Sequence, residues 1–397
     1  MGFYKESRQI YTKRAYFSEF MFVLFMFLFM IVKPVTQPTG YNGAILFVLS
    51  CICAIRQIIY NSNSKKRVNY GYVIFTSAVI LFIIILNFII RPSDNEGQYI
   101  YNYFLYGALP VFFLSGVKNY TAVLRFYCLF SIIVGFIYLA DPLFEYQISG
   151  GYMPFGFNAM LPAFTGSVIL AFYFKEKVGY LLALGFLLFS FIFSNKGATL
   201  AALAILSFGY SFMANNGEYF KRRIIIILIL IAVCIVSFSF ILEIGWNVAR
   251  AFNVEYTYAL STLQAIDGGQ GDNVFIDRYF VWDEGVRLYK ESPDVGSGIG
   301  HFEKQSIQPY PHNFYLQVLD ESGLLGAVPF TIILIVSFFK IKKMKNFEKK
   351  IVTGIILIQW IIPLTISLSY WIYMPFWIYW ALCFKDKKEN VVPQIKY

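Results

Sequence analysis

Long apolar runs separated by short polar segments dominate this chain. A helix that crosses a bilayer needs about 20 mostly apolar residues, because its backbone groups must be hydrogen-bonded within the segment. The pattern therefore predicts an all-α polytopic membrane protein with about twelve transmembrane helices. The predicted spans are residues 16–32, 41–55, 70–90, 99–117, 121–140, 156–174, 178–193, 197–213, 224–242, 323–339, 351–368 and 371–384.

One polar segment is much longer than the other connections between spans. It covers residues 243–322 and contains two helix-like stretches separated by the glycine-rich run DGGQGDN, so we expect an ordered extracytoplasmic loop. This loop divides the chain into an N-terminal membrane bundle of about nine spans (1–242), the loop itself, the C-terminal spans (323–384) and a cytoplasmic tail (385–397).

The distribution of lysine and arginine predicts the orientation in the membrane. Basic residues are retained on the cytoplasmic side, and with both termini inside, 25 of the 33 fall on that side. These residues explain the net charge of +10 as topology signals beside an anionic leaflet, without a nucleic acid. The composition agrees, since 14% of the residues are charged, against about 25% in soluble proteins.

The remaining basic residues lie on the opposite side, where this rule disfavours them. Most belong to the long loop, and Lys196 lies in a tight turn at the same membrane face. In the loop, Arg278, Trp282 and Gly285 share one helical face, where the small residue allows close approach, and this arrangement suits a fixed guanidinium directed at an anion. The alternative is an interfacial helix whose Trp and Arg lie at the level of the lipid headgroups. Arg287 faces elsewhere on an ideal helix and is a weaker candidate.

Both histidines of the chain lie at the end of the loop. His312 follows Pro311 and precedes Asn313, a favoured N-cap residue, so a helix start is predicted to hold its imidazole at the membrane surface. With an ordinary pKa of about 6.5, a histidine can take a proton from a hydroxyl near neutral pH. A structural histidine is the alternative, and it is our interpretation of His301, which adjoins a glycine turn.

That turn carries Gly296, Gly298 and Gly300 in a G-x-G-x-G pattern. No buried strand precedes it and no P-loop lysine follows it, so a turn that returns the chain to the membrane explains it better than a nucleotide fold. Exposed amides near a phosphate are a second possibility. The five cysteines lie in apolar runs and predict neither a disulfide nor a metal site, and the two histidines have no third ligand to complete one.

Three consecutive segments of the chain resemble a known family. RYFVWDEG begins at Arg278, SPDVGSGIGHF at Ser292 and PHNFYLQVLDESGLLG at Pro311. In order and spacing they look like the signature region of the O-antigen ligase and Wzy-type polysaccharide polymerase superfamily. FSNKGA, which begins at Phe193, resembles the short Ser-Arg-Gly turn of that family, with Lys196 where arginine is usual. Lysine keeps the charge but lacks the planar fork of arginine.

The resemblance implies a GT-C-like bundle and a metal-independent glycosyltransferase that needs no cofactor. It also implies the inner membrane of a bacterium, a periplasmic active site, undecaprenyl-diphosphate-linked glycans as donor and acceptor, and a flippase and a chain-length regulator as partners in the pathway. Breaking a sugar–diphosphate bond requires positive charge at the diphosphate and a base for the incoming hydroxyl. We therefore expect Arg278 and Lys196 at the diphosphate, with Arg287 in reserve, and His312 as the base.

The other residues of the matching segments are expected to support the site. Glu321 lies on the side of an ideal helix opposite His312, so a structural or acceptor-binding role is expected rather than direct pairing. Trp282, the three glycines of the turn and Asn313 complete the pattern.

Two activities within the superfamily use the same donor. A ligase transfers the finished glycan to lipid A core, whereas a polymerase transfers the growing glycan to the next lipid-linked repeat of an O-antigen, capsule or exopolysaccharide. The compact chain, rich in Tyr, Phe, Ile and Lys, and its modest loop favour a polymerase, with a ligase as the alternative. A flippase or transporter would place ionisable groups in mid-membrane and often shows internal repeats, and neither is visible here. A membrane acyltransferase that uses His312 is a more distant alternative.

Overall fold

The computed structural model describes residues 16–37, 40–63, 70–92, 95–213, 225 and 237–385. Within these ranges the regular secondary structure is helical, with no β-strand, as the apolar pattern predicts. An α-helix satisfies its backbone hydrogen bonds internally, so it is the form that an apolar segment takes inside a bilayer.

The first part of the chain forms a bundle of helices. They are α1 (Phe17–Thr36), α2 (Asn42–Asn63), α3 (Tyr70–Ile90), α4 (Glu96–Asn102), α5 (Leu109–Ser115), α6 (Tyr120–Tyr138), α7 (Tyr152–Pro154), α8 (Leu161–Phe172), α9 (Lys177–Phe193) and α10 (Lys196–Phe208). Three π-helical stretches continue these helices, at Tyr103–Ala108, Phe155–Met160 and Gly209–Met213, and a 3₁₀ turn covers Asp141–Phe144.

The second part begins with the helices of the long polar segment. They are α11 (Phe238–Ala251), α12 (Tyr258–Asp267), α13 (Gly271–Glu291) and α14 (His301–Gln305). Then follow α15 (Phe314–Lys343), α16 (Phe347–Ile366), a 3₁₀ turn at Tyr370–Ile372 and α17 (Met374–Phe384). The first helix-like stretch of this segment, predicted as one helix, is divided between α11 and α12, whereas the second corresponds to α13.

Eight of the described helices are long and apolar enough to cross a membrane, and α9 and α17 are shorter apolar helices. Eleven of the twelve predicted spans coincide with described helices, and α3 has the predicted bounds. The remaining one, residues 224–242, lies largely outside the described residues, and the total of twelve stays a prediction. Helix α3 leaves Ile74, Phe75 and Ile89 about two-thirds exposed, as expected for a helix that faces lipid.

The last three helices pack around Trp360, which is completely buried in α16. Its ring contacts Phe314 of α15 at a centroid distance of 5.5 Å and Phe376 of α17 at 5.3 Å. Aromatic pairs at this separation add to the free energy of apolar burial. This packing fixes the beginning of α15 beside the connection between α16 and α17, residues 367–373, which we call the α16–α17 loop.

Helix α15 has a kink at Gly323, whose φ and ψ of 56° and −159° are not helical. The amides of Leu324 and Leu325 donate to the carbonyls of the turn at residues 293–294, at 2.8 and 2.9 Å. The turn after α13 therefore caps the second part of α15 and satisfies groups that the kink exposes. It also holds the first part of α15, residues 314–322, as a short helix that is separated by the kink from the apolar remainder of α15.

Candidate active site

The site is built around the residue that precedes α15. Asn313 is the N-cap of that helix, and its side-chain oxygen accepts from the amides of Tyr315 and Leu316 at 3.0 and 3.2 Å. The N-cap predicted from the sequence is therefore present. His312, immediately before it, has a left-handed backbone with φ of 52°, and its side chain is half-buried.

The imidazole of His312 is held through one of its two nitrogens. Its Nδ1 lies 3.0 Å from the carbonyl oxygen of Ser367 in the α16–α17 loop. A carbonyl only accepts, so this hydrogen bond requires the proton on Nδ1 and leaves the lone pair of the neutral ring on Nε2. The ring of Tyr310 packs edge-on against the imidazole at a centroid distance of 4.8 Å. The geometry thus fixes both the orientation of the ring and the nitrogen that can act as a base.

The surroundings of His312 favour the neutral form of the ring. Burial lowers its pKa from the ordinary value of about 6.5, and the positive charge of Arg278 lowers this pKa further, against an opposing effect of the bond to Ser367. An imidazole that is neutral at physiological pH has a lone pair to offer a hydroxyl proton.

Arg278, on α13, reaches Ile366 at the end of α16. Its guanidinium donates to the carbonyl of Ile366, the residue next to the one that holds His312. The acceptor is neutral, so it orients the guanidinium without cancelling its charge. No ion pair of Arg278 is found among the side chains that the structure describes. The side chain is half-buried, and burial raises the pKa of Tyr310 while the nearby charge of Arg278 opposes this rise.

Lys196 lies at the beginning of α10 and interacts electrostatically with Arg278. The residue before it, Asn195, is the N-cap, and its side-chain oxygen accepts from the amide of Ala198 at 2.9 Å. The Nδ2 atom of this buried side chain has no hydrogen-bond partner among the described residues. A helix N-terminus carries partial positive charge and free amides, so α10 adds to the positive potential of the two side chains.

Two stacked tyrosines lie beside the cationic residues. The rings of Tyr152 and Tyr258 are 4.2 Å apart and inclined by 19°, and Tyr152 interacts electrostatically with Arg278. Tyr310 approaches the same guanidinium from the other end of the long polar segment. Aromatic side chains with polar tips suit a boundary between apolar and polar surroundings.

Arg287, the reserve candidate for the diphosphate, is not brought to this cluster. It lies on another face of α13, where it pairs with Glu284 and Glu291 and is 47% exposed. His301 is also elsewhere, at the start of α14, and its pKa is lowered by burial and by Lys304. The structure therefore separates Arg278 and His312 from the second arginine and the second histidine.

Gly285 allows α13 to approach the beginning of α15. A Cβ at this position would lie 2.8 Å from Cδ2 of Leu316 and 3.5 Å from Cβ of Pro311. Trp282, on the same face of α13, packs against Tyr279, and its buried indole nitrogen has no hydrogen-bond partner among the described residues.

The glycine turn has a structural explanation in the kink of α15. Gly296, Gly298 and Gly300 all have positive φ, at 74°, 103° and 77°. A Cβ on Gly296 would lie 2.4 Å from the amide nitrogen of Ser322, so a side chain there would prevent contact with the kink. This is the tight turn that the sequence favours over a nucleotide fold.

Glu321 lies at the other end of the first part of α15 and contacts Tyr370 and Trp371 of the α16–α17 loop. Its carboxylate accepts from Gln317 at 2.7 Å, from the indole of Trp371 at 3.0 Å and from the hydroxyl of Tyr370. No group of three or more histidine, cysteine or acidic side chains that could hold a metal ion occurs among the described residues.

The sequence analysis did not identify the α16–α17 loop or the tyrosines of the site. The signal available was the polar run SLSYW, residues 367–371, between two apolar stretches. The loop contacts His312 through a backbone carbonyl, and because every residue has a backbone carbonyl, the residue type at that position does not indicate such a contact. Tyr152, Tyr258 and Tyr310 are three of 30 tyrosines, most of which have no distinguishing pattern.

Comparison with known proteins yields one finding about the family. A family model described as O-antigen ligase matches residues 181–331, a segment that includes Lys196, Arg278, His312 and Glu321 and ends before the α16–α17 loop. No curated protein matches the chain.

Proposed function

We propose that this chain is a polysaccharide polymerase of the Wzy and O-antigen ligase superfamily, whose members are glycosyltransferase-like enzymes, and the match of residues 181–331 to the O-antigen ligase family model supports this proposal. It joins undecaprenyl-diphosphate-linked repeat units at the extracytoplasmic face of the bacterial inner membrane. The growing glycan is the donor, and a hydroxyl of the next lipid-linked repeat is the acceptor.

His312 is the base in this proposal. Its Nδ1 proton is committed to the carbonyl of Ser367, and Nε2 takes the proton of the acceptor hydroxyl. The hydroxyl oxygen then forms a bond to the anomeric carbon of the donor, while the bond from that carbon to the diphosphate oxygen breaks. The bonding electrons leave with the undecaprenyl diphosphate, and the proton on His312 passes to solvent or to the departing diphosphate.

Arg278 and Lys196 stabilise the negative charge that develops on the diphosphate. Positive groups that are oriented before the reaction act most strongly where water is partly excluded, and both side chains are half-buried. Diphosphate is a good leaving group that needs no proton as the bond breaks, so the mechanism requires one base and no general acid. The chain needs neither a metal nor a cofactor for these steps.

The observation that carries the proposal is the attachment of His312 and Arg278 to adjacent carbonyls. Ile366 accepts from Arg278 and Ser367 from His312, so one short stretch of backbone sets a base and a cation side by side. A glycosyl transfer from a diphosphate needs this pair of groups.

A ligase is the second candidate, because the matching family model is described as O-antigen ligase. The same base and the same cations would serve it, with lipid A core as the acceptor in place of a lipid-linked repeat. The two activities differ in the acceptor hydroxyl, so a product analysis separates them.

Deletion of the gene followed by gel analysis of the surface glycan tests the proposal. Single repeats on the normal acceptor support a polymerase, and long chains that remain on undecaprenyl diphosphate indicate a ligase. Loss of all exported repeats indicates a flippase and overturns the proposal. Complementation with His312→Ala should leave the deletion phenotype unchanged, whereas the matched control His301→Ala should restore long chains at an equal protein level in the membrane.

A further inference from the structure

The α16–α17 loop runs along the first part of α15 and contacts it at three levels. At the start, Nδ1 of His312 bonds to the carbonyl of Ser367 at 3.0 Å. In the middle, Nε2 of Gln317 donates to the hydroxyl of Ser369 at 3.0 Å. At the end, the carboxylate of Glu321 accepts from the side chains of Tyr370 and Trp371.

Glu321 is the strongest of the three anchors. It is 4% exposed, and its two oxygens accept from the side chains of Gln317, Tyr370 and Trp371. A carboxylate offers about four acceptor positions, and these donors occupy them. A buried acceptor that is bonded to three protein donors holds them in place, because leaving any of these groups unpaired inside the fold is costly.

The donors of Glu321 belong to the segment that orients the two groups of the proposed mechanism. Tyr370 and Trp371 follow Ser367 by three and four residues, and the indole of Trp377 in α17 donates to the carbonyl of Tyr370 at 3.0 Å. The loop is thus fixed at its far end, while its near end presents the carbonyls of Ile366 and Ser367 to Arg278 and His312.

We propose that Glu321 is a positioning residue of the active site, which anchors the α16–α17 loop so that the carbonyl of Ser367 keeps the proton of His312 on Nδ1. This inference rests on the proposed function, in which Nε2 is the base. Glu321 does not touch the substrate in this scheme, because its acceptor positions face protein donors inside the fold. It acts on the reaction through the loop.

The test compares two variants that weaken the anchor. Glu321→Gln replaces the charged acceptor, and Tyr370→Phe removes one donor while keeping a ring that packs against Trp371 and Phe376. A third variant, Tyr373→Phe, is the matched control, because it removes a buried hydroxyl of the same loop that donates to the carbonyl of Gln359 in α16 at 2.8 Å.

The tautomer of His312 is the first measurement. The chain has only two histidines, so ¹⁵N-histidine NMR of a His301→Gln background in lipid nanodiscs gives signals from His312 alone. We expect the Nδ1–H tautomer in the wild-type site and in Tyr373→Phe, and a mixture of both tautomers in Tyr370→Phe and Glu321→Gln. A retained Nδ1–H tautomer in both anchor variants would overturn the proposal.

Rates with a synthetic undecaprenyl-diphosphate-linked repeat are the second measurement. Since misplacement of a catalytic group lowers the rate of the chemical step, we expect kcat to fall about tenfold in Tyr370→Phe, with KM for the donor changed by less than about twofold. An equal fall of kcat in Tyr373→Phe would show a general packing effect and contradict the proposal. The NMR result is independent of the acceptor, so a failure of the polymerase assignment leaves it interpretable.

Discussion

The long polar segment contains two arginine and histidine pairs that differ in their surroundings. The first pair, Arg278 and His312, is half-buried and bonds to the adjacent carbonyls of Ile366 and Ser367. The second pair, Arg287 and His301, lies outside this cluster, and Arg287 is paired with two glutamates on its own helix.

The difference shows that the partner of a side chain determines its chemistry more than its type or its pKa. Burial lowers the pKa of both histidines, yet within the described residues a carbonyl acceptor that selects one tautomer is found for His312 and not for His301. Both arginines are oriented by hydrogen bonds, but the carboxylates of Glu284 and Glu291 offset the charge of Arg287, whereas a carbonyl leaves that of Arg278 available. Neutral acceptors orient a group and preserve its reactivity.

The largest effect is expected when the base is removed. His312→Ala should lower kcat about a thousandfold, because a positioned general base contributes on the order of 10² to 10⁴ in rate. His301→Ala, the matched change in the second pair, should stay within about twofold of wild type, since this half-buried side chain lies outside the cluster. Purified protein with lipid-linked repeats provides the assay, and similar losses in both variants would eliminate the distinction between the pairs.

Removal of the oriented cation should have the next largest effect. Arg278→Ala should lower kcat/KM about a hundredfold, as expected for the loss of one group that stabilises developing charge. Arg287→Ala should be nearly neutral, because an exposed ion pair with carboxylates contributes little to stability. The comparison requires equal amounts of protein in the membrane, and a larger loss for Arg287→Ala would place the diphosphate on the other face of α13.

The pH dependence of the reaction tests the electrostatic link between His312 and Arg278. Because the neutral form of His312 is the proposed base and its pKa is lowered, kcat/KM should be constant near neutral pH and fall about tenfold per pH unit below that pKa. The charge of Arg278 contributes to the lowered pKa, so Arg278→Ala should shift the fall to higher pH. A profile that keeps its midpoint in this variant would disconnect the two groups.

The lowered pKa of His312 also predicts a small effect on the stability of the fold. A group whose pKa is lower in the folded state binds more protons when unfolded, so its contribution is present above the unfolded pKa of about 6.5 and is lost as pH falls through the folded pKa. The melting temperatures of wild type and His312→Ala can be measured at a pH above 6.5 and at a pH below the folded pKa. As the pH falls between these two values, the melting temperature of wild type should decline more than that of His312→Ala.

The smallest effect is expected at Lys196. Lys196→Arg should retain activity within about threefold if the side chain supplies charge to a phosphate, because the charge is preserved and only its geometry changes. Lys196→Met keeps most of the length without the charge and is the control. Equal rates in Lys196→Met and Lys196→Arg would remove this residue from the diphosphate site.

Much of the fold follows from the sequence, because the rules for a helix in a bilayer depend on long apolar runs. The bounds of α3, the N-cap at Asn313 and the close approach at Gly285 could all be predicted from residue types and spacing. Each of them depends on interactions within a few residues or on the absence of a side chain.

The rest of the site could not be predicted, since it depends on contacts between distant segments. Ser367 lies 55 residues after His312, and Ile366 lies 88 residues after Arg278. Both act through main-chain oxygens, which every residue has. Glu321 was expected to be structural or to bind the acceptor, and its contacts with Tyr370 and Trp371, 49 and 50 residues later, form only in the folded chain.

The left-handed backbone of His312, with φ of 52°, has an evolutionary consequence. A residue with a Cβ adopts this conformation at a cost of roughly 1–2 kcal/mol, which glycine avoids. Selection for folding alone would therefore favour glycine or asparagine at this position, whereas the proposed role as the base favours histidine. Related chains that have lost the activity are expected to carry such a replacement. Laboratory selection for thermostability is expected to replace His312 before it changes residues of the surrounding helices.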